Sequence, residues 1–176
     1  MTSIFDRFLI WWLQSIRYRW SRFRRKLCEA KYRNMSLPAV KSLEDIKNYL
    51  AQVTWTMDGP LHLFDSISYP ETVWFKKKDD CDGFAILAAA LLQQWKPSSK
   101  PALITVMLRP MRRSHTVCGF YAFDEELRFF DNNALRRESF RTYAEIAEEA
   151  RGDAKLICWD IVDPNTLETI EFHKAL

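Results

Sequence analysis

Three residues able to share the work of covalent acyl transfer occur in a workable order: Cys81, His115 and Asp131. Cys81 sits between two acids in Asp79-Asp80-Cys81-Asp82-Gly83-Phe84-Ala85, and an apolar run, ILAAALL, follows at once. Packing gives no reason for a cysteine there. Chemistry does. The reactive form of cysteine is the thiolate, and an ordinary thiol with a pKa of about 8.5 is mostly protonated at neutral pH. A helix N-terminus favours negative charge. A neighbouring imidazole can take the proton, and a carboxylate can hold the imidazole in the right tautomer. Asp80 and Asp82 oppose a thiolate by charge, so they read as helix cap and scaffold.

The elements that must position these groups follow from the pattern. Asp80 can cap a helix running from about Cys81 to Trp95, apolar nearly all round and therefore central. ALITVMLRP reads as a strand. HTVCGFYAF and RFFDNN, joined by a turn around 124–126, read as a hairpin. His115 opens its first strand and Asp131 closes its second, so a diagonal pairing or a bulge would bring them together. SLEDIKNYLAQV is a helix capped by Ser42, with Asp45 three residues on. Pro70-Glu71-Thr72 begins a short helix. RTYAEIAEEAR is an amphipathic helix, KLICWDIVD a strand and TLETIEFH a last one. Helices come first and antiparallel strands later, which is an α+β order. Pro60 and Pro70 interrupt the mixed stretch after residue 53.

These segments resemble the transglutaminase-like cysteine peptidase superfamily, in particular its bacterial and phage-type branch. The resemblance rests on Pro70-Glu71-Thr72, Asp79 to Ala85 with the apolar helix after it, Ser114-His115-Thr116-Val117, and Phe129-Phe130-Asp131-Asn132. The spacings agree with it: 34 residues from Cys81 to His115 and 16 from His115 to Asp131. It spans about residues 50 to 135. The usual Gly-Asp-Cys stands here as Asp79-Asp80-Cys81. The resemblance implies a papain-like core with the cysteine helix packed on an antiparallel sheet, and a Cys81–His115–Asp131 triad. It also implies an oxyanion donor upstream, Gln52 or Trp55, beside the Cys81 backbone N–H.

Other residues carry plainer readings. Asn132 is the fallback to Asp131. Arg112 and Arg113, just before His115, are substrate-binding candidates for an acidic group or else a solvated loop. Trp74 is a further substrate-binding candidate, although packing beside the cysteine helix explains it as well. Cys118 alternates inward with Phe120 as core. Cys28 and Cys158 have no partners, and His62 and His173 read as surface or structural.

Bulk properties set the frame. The chain has 176 residues, of which 48% are hydrophobic, enough for one core. Its four cysteines form no CxxC pair and no zinc spacing. No cofactor motif or metal cluster is expected. The reading is a reducing, cytoplasmic setting, peripheral to a membrane or a virion if the basic segment binds one.

Residues 1–34 hold nine Lys/Arg and two Asp/Glu, against 17 and 21 in residues 35–176. The expected division is therefore a basic aromatic helical arm, 1–34, and a catalytic domain, 35–176. Apolar residues recur in the arm at helical spacing: Ile4, Phe8, Trp12, Ile16, Trp20, Phe23 and Leu27, widened by Phe5, Leu9 and Leu13. FLIWWLQSI is too short to span a bilayer and lacks the order of a signal peptide. Three roles stay open for residues 1–30: packing on the domain, lying on a membrane surface, or docking on a partner protein or nucleic acid. No recognition motif supports nucleic acid. The function expected is amide hydrolysis of a protein or peptide substrate through a thioester, with transamidation and deamidation open. The alternative is a non-catalytic module of the same fold, anchored through its basic arm.

Overall fold

The structure is a computed structural model, and it describes residues 4–57 and 66–175. Pro60 and His62 lie outside the described residues.

One helical run opens the chain. α1 (Ile4–Trp12) passes through a π-helical turn (Leu13–Arg17) into α2 (Tyr18–Cys28). α3 (Leu43–Leu50) follows, with Ser42 Oγ accepting from the Asp45 N–H at 3.1 Å. The Asp45 carboxylate reaches back to the Lys41 N–H at 2.9 Å, a capping box displaced by one residue. α4 (Pro70–Lys76) has proline at its first position. β1 (Thr54–Trp55) and β2 (Lys78–Asp79) form a two-residue parallel ladder. It delivers the chain directly into α5 (Cys81–Trp95).

The remaining strands make one antiparallel sheet: β3 (Ala102–Arg109), β4 (His115–Tyr121), β5 (Leu127–Asp131), β6 (Ala134–Phe140), β7 (Lys155–Val162) and β8 (Thr169–Lys174). Their order is β6-β5-β4-β3-β7-β8. α6 (Tyr143–Arg151), capped by Thr142, lies between β6 and β7 in sequence. The α+β class and the cysteine helix on an antiparallel sheet are as expected. β6 is an addition to the expected strands: ALRRESF is rich in charge and buries almost nothing, as an edge strand can.

The sheet separates two cores. β3 is buried on both faces, so its apolar residues alternate sides. Leu103 and Met107 face the core of α5, with Phe84, Leu87, Leu91, Cys118 and Phe120. Ile104, Val106 and Leu108 face that of α6, with Val117, Phe129, Ile146, Trp159 and Ile161.

The opening helix shares the α5-side core. Leu9, Ile10, Trp12, Leu13 and Tyr18 pack in one cluster with Ile46, Val73 and the α5 residues, so the arm and the body are held by common packing. The stripe read from the sequence is split, however: Leu9, Trp12 and Leu13 are buried, while Ile4, Phe5, Phe8, Ile16, Trp20, Phe23 and Leu27 are exposed. The inward face carries polar groups as well, because the body offers partners for them. Arg25 donates to the Ile67 and Ser68 carbonyls at 2.8 and 2.5 Å. Glu29 accepts from the Tyr69 N–H at 2.8 Å and from Thr72 Oγ1 at 3.0 Å.

Candidate functional site

Asp80 adopts an extended backbone and caps α5, its side chain accepting from the Asp82 N–H at 3.0 Å. That places Cys81 in the first helical turn, buried at 9% exposure, where the helix dipole favours a thiolate. Gly83 lets the turn lie against β2, because a Cβ there would overlap the Asp79 side chain.

His115 and Asp131 meet across the β4–β5 hairpin, with Nε2 to Oδ1 at 2.8 Å. Arg136 on β6 approaches the other carboxylate oxygen at 3.2 Å. The hydrogen bond from His115 comes first among the influences holding Asp131 below the usual carboxylate range, Arg136 adds to it, and partial burial opposes both. With Nε2 engaged by Asp131, Nδ1 is the ring nitrogen left for other work. Asn132 sits in the two-residue turn after Asp131 with φ 51°, a left-handed conformation that asparagine tolerates. Asp131, not Asn132, is the partner of His115.

Cys81 and His115 line one cavity of about 30 Å³, room for water but not for a peptide. Trp12, Arg17, Met107 and Met111 also line it. A wider groove of about 390 Å³ lies along His115 and Asp131, lined by Arg113, Arg136 and Arg151 among others.

Beneath the cysteine helix runs a polar network that sequence reasoning missed. The Arg17 guanidinium, from the π-helical turn, pairs with Asp82 and donates to Thr105 Oγ1 at 3.2 Å. Thr105 and Thr116 hydroxyls are 3.2 Å apart. Tyr18 donates its hydroxyl to Asp160, with both carboxylate oxygens within 2.9 Å. Burial pushes Asp160 up to about 7, against the hydrogen bond from Tyr18 and the charge of Arg17. One signal was available: Asp160 is a charged residue inside the otherwise apolar run 156–162. Arg17 gave none, because it looks like one more arginine in a basic run.

The other expected site residues fall elsewhere. Gln52 follows the end of α3 in an exposed turn, its amide engaged with the Asn48 carbonyl at 3.4 Å and Lys77 Nζ at 3.2 Å. It does not line the cavity shared by Cys81 and His115. Trp55 pairs with Asp79 in the β1–β2 ladder, near the Cys81 turn but half exposed and outside the cavity lining. Trp74 packs edge-on to Tyr49 at 5.4 Å, under Lys77, and does not line the cavity either. Arg112 is exposed on the turn before β4, and Arg113 pairs with Asp153. Cys118 and Cys158 are buried, and burial raises both thiols, Cys158 to about 12. Cys28 is exposed. His173 stacks on Trp159 at 4.2 Å.

Among the described residues, Asp80, Cys81 and Asp82 bring potential metal-ligating atoms within 4.8 Å of one another. Asp80 caps α5 and Asp82 pairs with Arg17, so both carboxylates already have structural work. No helix among the described residues is long and apolar enough to cross a membrane.

No protein-family model matches the sequence. No curated protein matches it. Among solved structures, the chain is similar to Legionella pneumophila LapG, with a TM-score of 0.48 and 19% identity, over 76% of this chain and 67% of that one. The calcium-bound form of LapG gives 0.48 and 20% over the same shares. The EGTA-treated form gives 0.45 and 18%, over 76% of this chain and 66% of that one.

Proposed function

We propose that the chain is a thiol-dependent acyl-transfer enzyme of the transglutaminase-like type, hydrolysing an amide bond in a protein or peptide. The observation that carries this reading is the 2.8 Å hydrogen bond between His115 Nε2 and Asp131 Oδ1, with His115 and Cys81 lining one cavity. Asp131 holds the proton on Nε2, which leaves Nδ1 as the base. Nδ1 takes the thiol proton, the Cys81 thiolate attacks the carbonyl carbon, and the oxyanion forms near the helix N-terminus. The Cys81 backbone N–H is the donor proposed for it. Imidazolium then protonates the leaving amine. Water, deprotonated by the same nitrogen, cleaves the thioester and releases the acid.

A second reading has its own observation. The cavity at Cys81 holds only about 30 Å³ and is lined in part by Trp12 and Arg17 of the opening helix, which suits a non-catalytic module.

The rate of iodoacetamide labelling against pH, read for each cysteine by mass spectrometry, separates the two. Exposed Cys28 serves as the accessible reference, and buried Cys118 and Cys158 as the protected ones. The enzyme reading expects Cys81 to react faster than Cys28 at neutral pH and to lose that advantage in His115→Ala. Equal or slower labelling of Cys81, unchanged by His115→Ala, overturns it and favours the module.

A further inference from the structure

We propose that the outward face of the opening helix is a docking surface for an anionic lipid bilayer, with the helix lying in the plane of the headgroups. This goes beyond the acyl-transfer reading and does not rest on it.

The inward face of the helix is fully used: Leu9 and Leu13 in the core, Arg17 on Asp82, Arg25 and Glu29 on residues 67–72. Its outward face is still apolar. Ile4 is 87% exposed, Trp11 51%, Phe23 53% and Leu27 66%, with Phe5, Phe8, Ile16 and Trp20 exposed between them. Two ring pairs lie along this face, Phe8 with Trp11 and Trp20 with Phe23, each at 5.9 Å. A contiguous apolar face of this kind is rare on a monomer without a binding role. The run from Ile4 to Cys28 extends on the order of 35 Å, so the face is a long strip and not an isolated patch.

Charge selects the occupant. Both acids of residues 4–34 are turned inward, Asp6 onto Arg109 and Glu29 onto the 67–72 segment. Arg7, Arg19 and Lys26 are exposed beside the aromatics, so this helix shows solvent apolar and basic groups with no carboxylate of its own. Tryptophan and phenylalanine suit the interfacial layer, and arginine and lysine suit anionic headgroups. A protein partner would need a long acidic and apolar groove; a bilayer needs only a plane.

The test is co-sedimentation of the full chain with vesicles of phosphatidylcholine alone or mixed with phosphatidylglycerol, at low and high salt. Binding to the mixed vesicles is expected, weaker on phosphatidylcholine alone and weaker at high salt. Trp11→Ser/Trp20→Ser/Phe23→Ser is expected to lower partitioning by about tenfold or more while its unfolding midpoint holds. Arg7→Gln/Arg19→Gln/Lys26→Gln is expected to weaken binding to the anionic vesicles by about fivefold per charge removed. Failure of the wild type to sediment with mixed vesicles overturns the proposal, and so does binding that both variants retain. Self-association that the aromatic variant dissolves, without vesicle binding, overturns it in favour of an interface between copies of this chain.

Discussion

Asp131 reaches His115 on the diagonal of the hairpin. The register pairs Cys118 with Phe130, so Asp131 falls opposite Val117, two residues along from His115. Side chains two apart on a strand share a face, and a diagonal of this kind is within reach of an imidazole and a carboxylate. The 2.8 Å contact lies just beyond the paired residues of a hairpin ladder that runs in register from Cys118 to Tyr121.

In the proposed mechanism Asp131 sets the tautomer of His115, and substitutions should grade accordingly. Asp131→Asn keeps an oxygen acceptor for Nε2–H but loses the charge that stabilises imidazolium. Asp131→Ala loses both. The labelling rate of Cys81 at neutral pH is expected to fall in the order wild type, Asn, Ala, with a span of about 10²-fold or more. An Asn variant slower than Ala would contradict a positioning role for the carboxylate.

Arg17 and Asp82 are 65 residues apart in sequence and both buried, at 4% and 1% exposure. Arg17→Met removes the cation beside a buried carboxylate, which costs about 3–5 kcal/mol. Arg17→Met/Asp82→Leu removes both charges and is expected to recover most of that loss. Denaturant unfolding of the two variants measures it. A double variant no more stable than Arg17→Met would show that the pair contributes through contacts other than its charges.

Long-range pairs of this kind explain what is legible in the sequence and what is not. The places of Cys81, His115 and Asp131 in the fold can be read because each lies at the end of an element with a clear local signal: a cap, a strand start, a strand end. The hairpin between the last two is local. The direction of the opening helix cannot be read in the same way. Periodicity reports two faces without saying which one turns inward. The buried face is decided by partners far away in sequence: Asp82 for Arg17, Asp160 for Tyr18, residues 67–72 for Arg25 and Glu29. β6 escapes notice because an edge strand that buries little has no apolar alternation to detect. Gln52 reads as a site residue because it precedes the cysteine helix, but α3 ends two residues earlier and leaves it in a solvent-facing turn.

Gly83 is required by close approach. A Cβ at this position would overlap Asp79 at its own Cβ and Cγ, atoms near the backbone that cannot swing aside. Gly83→Ala should therefore destabilise the protein, although alanine is the better helix former by about 1 kcal/mol. Overpacking of about 1–3 kcal/mol outweighs that preference. The same variant should slow Cys81 labelling, because relieving the overlap moves β2 against the first turn of α5. A thermal midpoint equal to or above that of wild type would count against this packing.

Asp160 gives stability a pH dependence whose sign can be worked out. Burial raises its folded pKa to about 7, above the value of about 3.9 in an unfolded chain. Between those values the folded state holds a proton that the unfolded chain has released, so stability falls as pH rises. Its contribution is fully present below about pH 4 and lost as pH passes through about 7. Asp131 works in the opposite sense. Its folded pKa is lowered, so its contribution is present above the unfolded value and is lost as pH falls through the folded one. The two windows are separate, and a comparison at about pH 5 and about pH 8 reads Asp160 without Asp131. Denaturant unfolding under those two conditions is expected to show the wild type less stable at the higher pH, and Asp160→Asn should reduce the difference. An unchanged difference in Asp160→Asn would place the proton elsewhere and leave Asp160 ionised in the fold, held by Tyr18 and Arg17.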